Sequence, residues 1–231
     1  MCGMSSAAGM EREAVKMQVE IWSDIVCPWC WIGKRKFEAA VRKFDGVADI
    51  AVRHRSFELN PNGPEQGRYS VPEYMQAVLG MPKPRVLQTL RFIAEAAAEV
   101  GLDYRMTESR AANSFDAHRL LHFADSKGRG KEVRELVSHA FVATTLDIAD
   151  RDTLCVLGSR GGLDETETRT MLNSGTFGDA VRRDETEARR AGIHGVPAFR
   201  FNKGTIVSGA LSIEELQSVI AEELAKTPAG R

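Results

Sequence analysis

In this 231-residue chain, period-two alternation of apolar and polar residues occurs only near the two ends. A long run of helical spacing lies between. Any sheet must therefore be assembled from both ends, with the middle set aside as helices. A chain of this size buries about 70–75% of its unfolded surface and needs no staples to fold. Apolar residues at 43% and charged residues at 27% exclude collagen-like, disulfide-scaffold and disordered classes. The formal net charge of −1, from 31 Lys and Arg against 32 Asp and Glu, gives no support for nucleic acid or an anionic membrane surface.

Residues Gln18 to Asp24 alternate, Val19, Ile21 and Ser23 pointing one way, Gln18, Glu20 and Trp22 the other. After Cys27-Pro28-Trp29-Cys30, Phe37, Ala40, Val41 and Phe44 fall on one helix face, with Pro28 suited to the first turn and Gly46 to the stop. Residues 49–57 alternate as a second strand. Asn60-Pro61-Asn62-Gly63-Pro64, Gly67 and Pro72 mark a loop. From 73 to about 192 the chain reads helical, in segments near 84–100, 114–127, 130–145, 150–160, 164–173 and 177–191. Val196 to Phe201 and Thr205 to Ser208 read as a hairpin around Asn202-Lys203-Gly204. Ser212 and Glu215 form a capping box opening a last helix with Ile213, Leu216, Val219, Ile220 and Leu224 on one face.

The expected organisation is a flexible leader, residues 1–16, and a discontinuous sheet-bearing domain, 17–61 plus 193–226. A helical insertion, 62–192, packs over the cysteine edge, and a tail, 227–231, follows. The leader holds Glu11, Arg12 and Glu13 where a signal peptide needs an apolar run. No stretch approaches the 18 or so apolar residues of a membrane helix. The expected compartment is the cytoplasm.

Four cysteines in such a chain are not a disulfide framework. Cys2 falls in the leader, and Cys155, in an apolar helical stretch, reads as a small buried hydrophobe. Cys27 and Cys30 are different, because two thiols three residues apart across a helix start can close a small disulfide ring. The first lies where free N–H groups and the helix dipole favour a thiolate, so its pKa is expected to fall toward about 3.5–7.5. Cys30, one turn in and less exposed, is then the resolving thiol, and the chemistry is thiol–disulfide exchange. A zinc site is the alternative, with His118 and His122 as the second ligand pair, but no His-Glu-x-x-His pattern supports it. His54, His139 and His194 read as surface or structural residues, and Lys34 and Arg35 as a solvated helix face. Trp29 and Trp31 offer an apolar lip for a peptide or aromatic substrate. Gly195-Val196-Pro197 before a strand suggests a cis-proline.

These features together resemble the thioredoxin fold, and the long helical insertion resembles its DsbA-like group. The strings Ser23 to Gly33, Phe57 to Pro61, Asn113 to Arg119 and Gly192 to Phe199 resemble FrnE-like bacterial oxidoreductases over about Met17 to Leu224. The fold class implied is α/β, thioredoxin-like (β-α-β … β-β-α) with a large all-helical insertion. The resemblance implies Cys27 as nucleophile, Cys30 as resolver, Pro197 cis, and Val196 offering backbone hydrogen bonds to an extended substrate. Asn113 and His118 are expected to face the substrate groove. The implied partner is a thiol or disulfide substrate, protein or small molecule, with no metal and no bound cofactor. Glutathione is a candidate redox partner and a homodimer a candidate assembly. Glutathione-dependent isomerases and kappa-class transferases of the same superfamily typically carry Ser at the position of Cys27 and an Asp-Arg pair opening the last helix. This chain has Cys27 and Gly209-Ala210-Leu211-Ser212 instead.

Overall fold

The structure, a computed structural model, describes residues 15–64 and 68–226. Most of the expected leader, with Cys2, the tail 227–231 and Gly67 of the loop lie outside the described residues. Strand β1 (Val15–Ser23) begins three residues before the alternation that opens at Gln18 and takes in the last two residues of the expected leader. It is followed by α1 (Pro28–Val41), a 3₁₀ turn (Arg42–Phe44) and β2 (Ala48–Ser56). Then come α2 (Val71–Ala77), α3 (Lys83–Ala98), α4 (Phe115–Ser126), α5 (Gly130–Ala143), α6 (Arg151–Arg160), α7 (Glu165–Asn173) and α8 (Gly178–Arg190). The chain returns as β3 (Ala198–Phe201), β4 (Ile206–Ser208) and α9 (Ile213–Lys226). The fold is mixed α/β, a four-stranded sheet with a helical insertion between β2 and β3.

The sheet order is β2-β1-β3-β4. β1 pairs parallel with β2 and antiparallel with β3, so residues from both ends of the chain meet on one central strand. The hairpin turn places Asn202 and Lys203 at φ of 47° and 63°, the left-handed pair that matches the twist of its strands. On one sheet face Met17, Val19 and Ile21 pack with Phe37 and Ala40 of α1, Phe199 and Phe201 of β3, and Leu216 and Ile220 of α9. Phe37 and Phe199 stack 5.4 Å apart, tying α1 to β3. The Ser212–Glu215 capping box holds the start of α9, Glu215 N–H donating to Ser212 Oγ at 3.1 Å.

The other face departs from simple alternation. Gln18 is exposed, but Glu20 and Trp22 are buried. Trp22 packs against Ala188, Ile193 and Ala198, and its ring N–H donates to the Asp184 carbonyl of α8 at 3.0 Å. Glu20 is held by Arg55 and Arg200, whose guanidinium groups also lie over the Trp22 ring. The strand is therefore covered on both faces near its C-terminal end.

The largest apolar cluster joins α3 to α7, and it includes Ile25, Trp31 and Ile32 from the cysteine segment. Helix starts follow local capping chemistry. Asp150 and Asp164 accept from Thr153 N–H and Glu167 N–H at 2.9 and 2.8 Å at the heads of α6 and α7. Among the described residues no helix is long and apolar enough to cross a membrane.

Candidate active site

β1 ends at Ser23, and the chain turns through Asp24 to Val26 into α1. Cys27 is the N-cap residue of that helix, with φ −88° and ψ 110°, and Pro28 follows at the first helical position. Cys30 is therefore the third helical residue, and its N–H donates to the Cys27 carbonyl at 3.1 Å. The Cys27 side chain stands at the head of the helix, beside the amides of its first turn. The Cys30 thiol donates to it, and backbone amides of Cys30 and Trp29 add to that stabilisation. Together these outweigh burial and the charge of Asp24, and they hold Cys27 below an ordinary thiol. Cys30 behaves oppositely. Burial, then the hydrogen bond it gives to Cys27 and the neighbouring charge, push its thiol well above the ordinary value.

Both cysteines are free thiols. As whole residues the two are almost equally enclosed, and as expected the Cys30 sulfur is the more deeply buried of the two. What separates the thiols is first the deeper burial of the Cys30 sulfur and then the hydrogen bond it gives to Cys27; the Asp24 N–H that Cys30 Sγ accepts at 3.4 Å offsets only part of this.

Across from the thiols lies the loop before β3. The Val196–Pro197 peptide bond is cis, and Cys27 Sγ lies 3.6 Å from the Val196 carbonyl oxygen. Val196 is half-buried and Pro197 buried. Gly33 of α1 permits this approach, because a Cβ there would lie 2.9 Å from Pro197 Cγ. Trp29 is half-buried and packs 5.7 Å from the ring of Phe92, which is 60% exposed. These two rings form an apolar margin beside the cysteines.

Trp31 does not share that margin. It is buried, stacks 6.0 Å from Tyr104, and its ring N–H reaches Glu135 at 3.2 Å. Lys34 and Arg35 are likewise not a solvated face, for both pair with Glu38 and with Glu135 of α5. Burial alone would raise the Glu135 carboxyl, but Lys34, Arg35 and the Trp31 N–H outweigh it and hold it below the ordinary range. Tyr104 donates to the Pro28 carbonyl at 2.8 Å, fixing the first turn of α1 from outside.

Asn113 and His118 do not line the groove together. Asn113 donates to the Pro61 carbonyl at 3.1 Å and accepts from Phe115 N–H at 2.9 Å, so it fastens the loop after β2 to the start of α4. His118 is buried behind the thiol turn, too enclosed to touch a substrate. Its Nε2 lies 3.3 Å from Asp24 Oδ1, off the direction of a hydrogen bond. Asp24 itself accepts from Leu59 N–H at 2.7 Å and Val26 N–H at 3.3 Å. Asp24 is thus a buried site residue that the alternation of β1 does not single out. The signal was an acid three residues before Cys27, at a strand end destined for burial. His122 turns to Ser56 and Asp184 rather than to the cysteines. Among the described residues no group of three or more His, Cys, Asp or Glu side chains is gathered as a metal ion would require.

A cleft of about 1340 Å³ lies elsewhere, between the loop after β2 and helices α4, α6, α7 and α8. Its arginines Arg119, Arg151, Arg169 and Arg182 are each paired with a carboxylate. Cys155 at its wall is 1% exposed, and burial raises its thiol, so it offers no nucleophile.

The family model of the DSBA-like thioredoxin domain matches residues 18–221. The chain belongs to this DsbA-like family. A probable DsbA oxidoreductase from Streptomyces coelicolor superposes with a TM-score of 0.88 at 34% identity, covering 93% of each chain. An uncharacterised Bacillus subtilis protein, YwbO, is 28% identical over 212 residues, 91% of this chain and 98% of its own. The cytosolic disulfide reductase DsbM from Pseudomonas aeruginosa shares the fold at a TM-score of 0.59 and 17% identity, over 91% of this chain and 100% of that one. The fold of this DsbA-like chain is thus shared with proteins of differing chemistry. A 2-hydroxychromene-2-carboxylate isomerase also superposes, with a TM-score of 0.62 at 12% identity, over 90% of this chain and 97% of that one.

Proposed function

We propose that this DsbA-like oxidoreductase works by dithiol–disulfide exchange through Cys27 and Cys30. The observation that carries the reading is the pairing of opposite thiol environments. Cys27 is favoured as thiolate by the Cys30 thiol and the amides of the first helical turn, and Cys30 is held as thiol by its burial. The Cys27 thiolate attacks one sulfur of a substrate disulfide, and the S–S electron pair leaves on the other sulfur. Cys30, once deprotonated, attacks Cys27 Sγ, closes the Cys27–Cys30 disulfide and frees the second substrate thiol. The same steps in reverse pass a disulfide to a substrate.

The substrate class is a thiol or disulfide compound, protein or small molecule, with an apolar segment for Trp29 and Phe92. The backbone of Val196 offers hydrogen bonds to an extended partner. Pro197, packed on Gly33, holds that loop in place. The reading includes a cytoplasmic setting, no bound cofactor or metal, a homodimer, and glutathione as redox partner. DsbM from Pseudomonas aeruginosa, which shares the fold, has been solved with GSH.

The test is the redox state of Cys27 and Cys30 across a glutathione redox series, read by thiol alkylation and mass. A reversible two-thiol transition is expected, and Cys30→Ser should accumulate mixed disulfides while Cys27→Ser should not. A stable adduct of Cys27 with glutathione and no transition would overturn the reading. Turnover that survives Cys27→Ser and requires glutathione would replace it with an isomerase or transferase.

A further inference from the structure

The two edges of the sheet differ. β4 is an edge of three residues, too short to invite a further strand. β2 is an edge of nine residues with no proline, no glycine and an unbroken register against β1, so no breaker or bulge protects it. Its C-terminal end is covered, because Ser56 N–H donates outward to Asp184 Oδ2 of α8 at 3.0 Å, while Phe57 N–H turns inward to the Ser23 carbonyl of β1. Main-chain direction alternates along a strand, so Ile50, Val52 and His54 share the outward direction of Ser56. Among the described residues no hydrogen bond reaches the outer side of Ile50 or Val52.

The side chains of this open half are exposed at Asp49, Ala51, Val52 and Arg53. Asp49, Ala51 and Arg53 stand on the face of Gln18 and Glu20, and Ile50 and Val52 stand on the face of Met17 and Val19. On the first of these faces α8 stops short, leaving a cleft of about 560 Å³ whose walls include Gln18, Ala51, Arg53 and Glu187. Among the described residues neither Asp49 nor Arg53 has an ionic partner. About 13 Å of strand separates them, too far for them to pair with each other. Edge charges of one sign would keep a second copy away. These two are opposite, and they are spaced to meet each other in reverse.

We propose that β2 is the interface of a homodimer, pairing antiparallel with β2 of a second copy about a two-fold axis at Ala51. This gives a surface to the homodimer in the reading above, and it holds whether or not the thiols exchange disulfides. The register follows from the residues. About an axis at Ala51 the outward residues Ile50 and Val52 face each other across the copies and exchange both main-chain hydrogen bonds. Their side chains meet as apolar pairs on one face. On the other face Asp49 of each copy meets Arg53 of the other, in the closer of the two kinds of cross-strand pair, and the small Ala51 meets itself.

Other axes fail. At Ile50 or Val52, Arg53 faces an apolar residue, Val47 or Ala51. At Asp49 or Arg53, like charges meet on the axis itself. The contact at Ala51 is isologous and uses up both β2 edges, so it closes at two copies and leaves no edge for a third. The thiols lie at the C-terminal end of β1, which runs parallel to β2. Antiparallel pairing of the two β2 strands therefore sets the two thiol pairs at opposite ends of one joined sheet, and both stay open to substrate.

The test is sedimentation of the reduced full chain over a concentration series, in which a dimer is expected. Asp49→Arg and Arg53→Asp should each weaken it about tenfold or more, because each sets like charges opposite one another, and the double exchange should restore it. Ala51→Cys, in a chain with Cys2, Cys27 and Cys30 replaced by serine, should cross-link to a dimer on mild oxidation. Non-hydrogen-bonded partners stand about 4.5 Å apart at Cα, within reach of a disulfide. Val52→Cys in the same chain, which would face Ile50 of the other copy, should not cross-link. A monomer at every concentration would overturn the proposal. So would a dimer indifferent to both single charge reversals, which would use another surface. The exchange reading stands apart, since the redox series of Cys27 and Cys30 reports it in the parent and in Asp49→Arg alike, and its failure leaves the sedimentation result unchanged.

Discussion

Replacing Gly33 with alanine sets two effects of known size against each other. Gly33 lies in the interior of α1, where alanine is favoured over glycine by about 1 kcal/mol. Helix propensity alone therefore says that Gly33→Ala stabilises. The added methyl would sit 2.9 Å from Pro197 Cγ, 3.5 Å from Pro197 Cβ and 3.7 Å from the Ala210 Cα. Ordinary contact begins near 3.4 Å, so about 0.5 Å must be found. Pro197 is a buried ring with no flexible end to swing away, and overpacking at such a place costs about 1–3 kcal/mol. The expected net effect is a loss of about 0–2 kcal/mol. The movement also has a direction, since Pro197 carries Val196, whose carbonyl lies 3.6 Å from Cys27 Sγ. Half an ångström there ends the contact. Urea denaturation gives the stability change, and steady-state exchange with a peptide disulfide gives the second effect, a KM raised severalfold with kcat less affected. A variant stabilised by the full helix-propensity gain, with KM unchanged, would refute the reasoning.

Cys27 should alkylate at pH values where an unperturbed thiol is protonated, whereas Cys30 in Cys27→Ser should resist alkylation until well into the alkaline range. A pH series of iodoacetamide rates on the two single variants checks both directions. Glu20→Gln should cost about 3 kcal/mol at neutral pH by uncoupling Arg55 and Arg200 from β1. Despite burial, those arginines hold the Glu20 carboxyl below the usual 4.5, so its contribution is complete above that pH and disappears as pH falls through the folded value. The stability gap between parent and Glu20→Gln should close on acidification, which denaturation at pH 3 and pH 7 would measure. Tyr104→Phe should lose about 1 kcal/mol by leaving the Pro28 carbonyl without its 2.8 Å partner, read as a lowered thermal midpoint.

The elements of the sheet and the positions of the thiols were legible because they rest on local signals. Alternation over a few residues marks β1 and β2, Pro28 marks the head of α1, and Ser212 with Glu215 marks α9. What escaped depends on cover from remote sequence. Trp22 and Glu20 look solvent-facing by alternation, but α8, whose Asp184 is 162 residues from Trp22, helps cover the ring, and Arg55 and Arg200 enclose the carboxylate. Lys34 reads as exposed until Glu135, 101 residues away, arrives from α5. His118 sits next to Arg119 in a string suggestive of a binding site, but its face of α4 turns toward Asp24 and not toward the groove. Periodicity reports that one face of an element is covered. It is silent on a second cover, and buried charges such as Glu20 and Asp24 occur where two covers meet.

The contact between Cys27 and Val196 spans 169 residues. At a synthesis rate of about 5–20 residues per second, Cys27 leaves the ribosome roughly 10–30 s before its partner exists. β1 meanwhile has β2 on one side and an open edge on the other, because β3 is among the last segments made. The nascent chain thus displays two thiols and an unpaired strand edge, the state most exposed to miscoupling and aggregation. Truncation ahead of Val196 leaves the cysteine motif in the product without the loop that faces it. Competence in this protein is therefore a property of the finished chain, conferred at the end of translation although its two sulfurs are written near the beginning.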